Sequence, residues 1–175
     1  MQIKVELLTE EAFREFGCVL GEPRLVPPDI VDEVSNVWLG FSDLMGIGTQ
    51  PARQVTYLKI HSNPSQYDKM EKHDTSAEAF IPLDGKSILL VAPCKGVAPW
   101  KDVDKPDMSQ ARAFLMDGSK GVLMHPGTWH AVPYKLTKLV TYLVLVDPTI
   151  IKNNDLHVTP VEPVDFVEAT EAQGA

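Results

Sequence analysis

From residue 53 onward the chain is written in short apolar runs, each stopped by Gly, Asp, Asn or Pro. The runs are 55–61, 78–83, 87–92, 111–116, 121–124 and 139–146. They have strand lengths and carry β-branched residues, which predicts β-strands rather than helices. Two of the stops, Asp84-Gly85 and Asp117-Gly118, predict hairpins, because the glycine takes a positive φ at little cost. Many short strands with a single clear helix restrict the fold to an all-β sandwich or barrel.

The N-terminal part adds a strand over 3–8 and a helix with Thr9 as N-cap and Glu10 or Glu11 in its first turn. Phe13 and Phe16 would share one helix face, and Gly17 suits the C-terminal cap. Segment 21–52 is rich in Pro and Gly and is the least readable, and 95–110 reads as a surface loop. The expected organisation is one domain over 1–175. It comprises an N-terminal strand, helix and irregular segment to residue 52, a barrel core over 53–160, and an acidic tail over 161–175 whose last few residues are disordered.

Composition narrows the function. A formal charge of -8 argues against nucleic acid, since phosphate binding wants a basic face. It leaves room for a small anionic substrate, because a few inward Arg or Lys side chains reverse a local field. No apolar run approaches the ~20 residues that span a bilayer, so no membrane partner is expected. Charge within Met1-Gln2-Ile3-Lys4-Val5-Glu6, where a signal peptide would be apolar, and only two cysteines, Cys18 and Cys94, fit a cytoplasmic location.

The chemistry concentrates in two segments. The first runs from Glu71-Lys72-His73 through Glu78 to Gly85; the second is Pro126-Gly127-Thr128-Trp129-His130. Glu71 and His73 alternate by two, so on a strand they share a face, and Lys72 points the other way. Pro126-Gly127 sets a tight turn that aims His130. Together Glu71, His73, Glu78 and His130 are the candidate catalytic residues. His73, Glu78 and His130 are also a ligand set for a divalent transition metal with open positions for substrate. The same residues suit a metal-free acid/base pair. Arg112, Lys72, His125 and Trp129 are the candidate substrate-binding residues, with Arg53 and Lys59 as further cations for an anionic group. Trp129 also reads as core, and His61 and His157 read as structural or surface residues. Walker, GxGxxG and GxSxG patterns are absent from the sequence.

The two segments resemble degenerate cupin motifs, with Glu71 standing where the first histidine of a His-x-His pair usually stands. From about Leu8 to Asp155 the chain resembles more specifically the ureidoglycolate lyase family. The resemblance is carried by Glu10-Glu11-Ala12-Phe13, Phe16-Gly17, Glu71-Lys72-His73 and Ala79-Phe80-Ile81-Pro82. It continues through Lys105 to Ser109, Arg112-Ala113-Phe114, Gly121, His125, Trp129-His130, Asp147 and Asn154-Asp155. Glu78 departs from the family pattern, which often has Gln before Ala-Phe-Ile-Pro. Residues 95–104 look like an insertion.

The resemblance implies a cupin-type jelly-roll barrel, a homodimer, no organic cofactor and, in some members, a divalent metal with nickel suggested. It implies cleavage of ureidoglycolate to glyoxylate and urea in purine and allantoin catabolism. The residues then support a mechanism in which His73 or His130 takes the hydroxyl proton and Glu71 or Glu78, its carboxyl pKa raised by burial, protonates the leaving nitrogen. Two alternatives stay open. One is a cupin lyase or metal-dependent enzyme on another 2-hydroxy acid adduct; the other is a non-catalytic cupin that binds a small ligand.

Overall fold

The structure is a computed structural model that describes residues 1–21, 30–31, 36–37, 54–94, 105–147 and 155–167. Expectations for most of 21–52, for Arg53, for the 95–104 part of the surface loop, for Asn154 and for the end of the tail lie outside the described residues. The first turn forms as the sequence predicts. Helix α1 (Glu10–Phe13) is capped by Thr9, whose side chain accepts the Ala12 N–H. It is a single turn, and Gly17 is not its cap: Gly17 opens strand β2 (Gly17–Leu20) against Met124. Glycine is needed there because a Cβ would run into the Leu123 carbonyl.

The remaining strands, in chain order, are β1 (Gln2–Leu7), β3 (Ile30–Val31), β4 (Asn36–Val37), β5 (Gln54–Ile60), β6 (Tyr67–Lys72), β7 (Glu78–Asp84) and β8 (Ser87–Ala92). They continue with β9 (Arg112–Met116), β10 (Gly121–Met124), β11 (Trp129–His130), β12 (Tyr134–Lys135), β13 (Val140–Val146) and β14 (His157–Val167). The fold is all-β, of barrel type. One sheet runs β2-β10-β7-β13-β5; the other runs β11-β6-β14-β1-β9-β8-β12, and β3 pairs with β4. Among the described residues no helix is long and apolar enough to cross a membrane.

The two Asp-Gly stops are turns but not hairpins. Gly85 (φ 84) and Gly118 (φ 95) have the positive φ that the sequence predicts. Each turn, however, carries the chain from one sheet to the other: β7 and β10 belong to the five-stranded sheet, β8 and β9 to the seven-stranded one. The two corners abut, since a Cβ on Gly118 would lie 3.2 Å from the Gly85 carbonyl oxygen. A second correction concerns the tail. Residues 161–167 continue β14, which pairs antiparallel with β6 and parallel with β1.

The seven-stranded sheet closes on itself, because β11 pairs with both β6 and β8. Strands β8, β9, β1, β14, β6 and β11 therefore form a ring. One apolar cluster draws residues from all six: Ile3, Met70, Leu90, Ala113, Trp129 and Val164. A second cluster fills the space between the two sheets. It contains Leu89, Val91, Phe114 and Met116 from the ring, and Phe80, Val122, Tyr142 and Val144 from the facing sheet. Phe13, Phe16 and Phe114 close one side of it, with ring centroids 5.2 to 5.9 Å apart. Strand β8 thus serves both clusters with alternate residues. That is why Ser87-Ile88-Leu89-Leu90-Val91-Ala92 is buried at every position and reads as an unbroken apolar run.

Candidate active site

The row of paired residues Glu71, His130, Val91 and Arg112 crosses β6, β11, β8 and β9. Val91 belongs to the inter-sheet core, so the whole row faces that space. Glu78 comes from the opposite sheet, two residues before Phe80 and on the same face, where Phe80 meets the His130 ring edge-on at 6.1 Å. His125-Pro126-Gly127-Thr128 forms the turn before β11. Thr128 N–H returns to the His125 carbonyl at 3.2 Å, and Gly127 has φ 80. Proline followed by a positive-φ glycine is a type II turn.

These elements bring His73, Glu78 and His130 together in a buried cluster. Glu78 Oε2 lies 2.9 Å from His130 Nε2 and 3.5 Å from His73 Nε2. Glu71 Oε1 lies 3.7 Å from His130 Nε2, and its side chain is 30% exposed at the rim. Each imidazole turns its other nitrogen to a backbone carbonyl. His73 Nδ1 meets the Asp155 oxygen at 3.0 Å and His130 Nδ1 meets the Thr128 oxygen at 2.9 Å. Carbonyls only accept, so both Nδ1 atoms carry hydrogen and both Nε2 atoms point at Glu78.

Electrostatics follow from this packing. Burial pushes the Glu78 carboxyl up, but the close approach of the His130 and His73 imidazoles outweighs it and brings the pKa down to about 2. Burial pulls His130 down, and Glu78 with help from Glu71 more than reverses this, to about 8. His73 is likewise raised, burial being outweighed chiefly by Glu78. The carboxyl that burial alone would raise is therefore held low at Glu78, opposite to the rise expected from sequence.

The cluster also passes the test for a metal. His73, Glu78 and His130 offer three donor atoms within 4.8 Å of one another. Glu78 Oε2 and His130 Nε2 are both buried, lie 2.9 Å apart, and are satisfied by no hydrogen bond. Two orphaned donors converging beside a third, each imidazole braced by a carbonyl, form an arrangement that suits a divalent cation.

The candidate binding residues are not gathered there. Lys72 and Trp129, neighbours of Glu71 and His130, take the opposite strand face and lie in the six-stranded ring. The Lys72 ammonium is 5.3 Å from the Trp129 ring centre and 2.5 Å from Asp74 Oδ1. Trp129 is 1% exposed, with its indole N–H unpaired. His125 is exposed at the turn, its N–H given to Phe16. Arg112 shares the inward row but is taken up by a forked pair with Glu6 and a 2.6 Å bond to the Ala12 carbonyl. Sequence reading missed Asp155 as a partner of the cluster. Asn154-Asp155 carries part of the family resemblance, but nothing local assigns Asp155 a role, since it acts on groups 80 or more residues away.

The sequence profile of the family described as Ureidoglycolate lyase matches residues 1–168. The ureidoglycolate lyase of Pseudomonas aeruginosa is 31% identical over 148 residues, covering 82% of this chain and 82% of its own. That of Pseudomonas paraeruginosa is 32% identical with the same coverage. That of Pseudomonas fluorescens is 30% identical over 148 residues, 82% of this chain and 83% of the relative.

Proposed function

Because the chain belongs to the ureidoglycolate lyase family, we propose that it cleaves ureidoglycolate at the His73–Glu78–His130 cluster, releasing glyoxylate and urea. The observation that carries this is the pair of buried, unbonded ligand atoms, Glu78 Oε2 and His130 Nε2, 2.9 Å apart beside His73.

The substrate carbon bears hydroxyl, carboxylate and ureido nitrogen. The reaction removes the hydroxyl proton, forms the aldehyde C=O, breaks C–N with its electron pair going to nitrogen, and protonates that nitrogen. A divalent metal such as nickel held by His73, Glu78 and His130 would supply Lewis acidity toward the hydroxyl and carboxylate oxygens. Glu71 is the carboxylate left over by that ligand set, at the rim and 3.7 Å from His130. It is placed to accept the hydroxyl proton and return it to the ureido nitrogen, so the proton count closes on one group. The Asp155 and Thr128 carbonyls hold the two rings in place throughout.

We also assign the protein to the cytoplasm and to purine catabolism. We read it as a homodimer, for which Val55 and Tyr57, 61% and 60% exposed on edge strand β5, offer an apolar surface. The deciding assay follows glyoxylate and urea from racemic ureidoglycolate with metal-stripped protein, then with Ni²⁺, Mn²⁺ or Zn²⁺ restored. Release well above the spontaneous rate is expected. None under any condition would discard the substrate and leave another 2-hydroxy acid adduct to be tried.

A further inference from the structure

We propose that Asp155 is the positioning residue of His73. It holds the imidazole through its backbone carbonyl and ties down, through its carboxylate, the turn on which His73 rides. The inference rests on the reading of His73 as a site residue. His73 lies after the end of β6 and before the start of β7, so it is not placed by either of those strands. Asp155 does the placing instead. Its carbonyl meets His73 Nδ1 at 3.0 Å. Its Oδ1 accepts the Asp74 N–H at 2.8 Å. Its Oδ2 accepts the Thr75 N–H at 3.1 Å and the Thr75 hydroxyl at 2.6 Å. From the other side the Gly127 N–H reaches the His73 carbonyl at 2.6 Å, locking this turn to the one that aims His130.

We read the carboxylate as a hydrogen-bonded clamp rather than as a ligand. Asp74, Asp155 and His157 have the separation of a ligand set. Both Asp155 oxygens, however, are occupied by donors, and Asp74 Oδ1 already faces the Lys72 ammonium at 2.5 Å. The positive charge is in place, and the group works as a clamp. Its output is one tautomer: Nδ1 protonated and the Nε2 lone pair turned toward Glu78. Groups that orient a ligating histidine typically matter at the level of 10–100-fold in metal affinity or activity.

The test uses the full-length, metal-stripped protein with ¹⁵N-labelled histidine, at alkaline pH where the ring is neutral, alongside Zn²⁺ titration. Wild type is expected to show His73 in the Nδ1–H form alone. Asp155→Ala should mix the two tautomers and weaken Zn²⁺ binding about 10–100-fold. Thr75→Val should move both readouts the same way, and Thr75→Ser should restore them. Asp117→Ala removes a comparable turn clamp at a corner, where Asp117 accepts from Ser119. It should lower the melting temperature and leave the His73 signal alone. A single Nδ1–H tautomer and unchanged Zn²⁺ affinity in both Asp155→Ala and Thr75→Val would overturn the proposal. Thr75→Val decides alone should Asp155→Ala fail to fold. If wild type does not turn over ureidoglycolate, the proposed reaction fails, and these two readouts still decide the role of Asp155.

Discussion

Glu78 and Glu71 stand close together and are made different by their surroundings. Glu78 is enclosed by two imidazoles and ionised; Glu71 reaches the same cluster from the rim with one edge in water. Glu78→Gln removes the charge that holds His130 above its ordinary 6.5. Burial then dominates, and an NMR titration should find the His130 midpoint moved from about 8 to below 6.5, with turnover down at least about 100-fold. Glu71→Gln should leave metal affinity intact and lower kcat by about 10²–10⁴-fold, the usual weight of one proton transfer. Equal loss of metal binding in both variants would place Glu71 among the ligands. At this scale the sequence was informative where side chains at motif spacing come together, as those of His73, Glu78 and His130 do. It was silent on the role of Asp155, and on the difference between Arg112, held by Glu6, and a free cation. Those depend on partners 80 to 106 residues away.

The elements that were legible are those whose residues obey one rule throughout. Strand β8 is apolar because both faces are buried, and β13 puts Val140, Tyr142, Val144 and Val146 into the core on alternate positions. Strand β6, Tyr67-Asp68-Lys69-Met70-Glu71-Lys72, breaks the alternation because it carries a site carboxylate on one face and a buried ion pair on the other. Strand β14 was masked by Pro160, Pro163 and its acidic residues. Its register shifts between Pro160 and Val164, the kind of irregularity that lets a strand keep prolines. The Asp-Gly corners show the limit of local chemistry: φ is set by the glycine, but the sheet that the next strand joins is set by packing. The turn ahead of β11 carries function as well. Gly127→Ala forces a side chain into φ 80, at a cost of about 1–2 kcal/mol. It should displace both His130 and the bond to His73. Denaturant melts and kinetics on one preparation should show turnover falling by more than the stability loss explains.

Over the whole molecule, the cluster ties folding to pH. Glu78 is lowered to about 2 from an ordinary 4.5, so its contribution is present above 4.5 and is lost as pH falls toward 2. His130 is raised to about 8 from 6.5, so its contribution is present below 6.5 and is lost as pH rises through 8. These are two halves of one interaction, and the metal-free protein should be most stable between about pH 4.5 and 6.5. A divalent metal competes with protons for the imidazoles, so Ni²⁺ should raise the melting temperature more at pH 8 than at pH 6. A metal-induced shift that is the same at both values would argue against the histidines as ligands.

The wall formed by β6, β11 and β8 faces a different interior on each side. Glu71 and His130 look into one, Lys72 and Trp129 into the other. Such a partition has no spare side. A single-residue insertion or deletion within it would exchange the furnishings of two rooms at once, setting an ammonium and an indole where the carboxylate and imidazole belong. Length along these strands is therefore under tighter constraint than the identity of most residues they carry. Drift in this fold should collect in the other connections and spare the two that set the spacing from Glu71 to Glu78 and from Pro126 to His130.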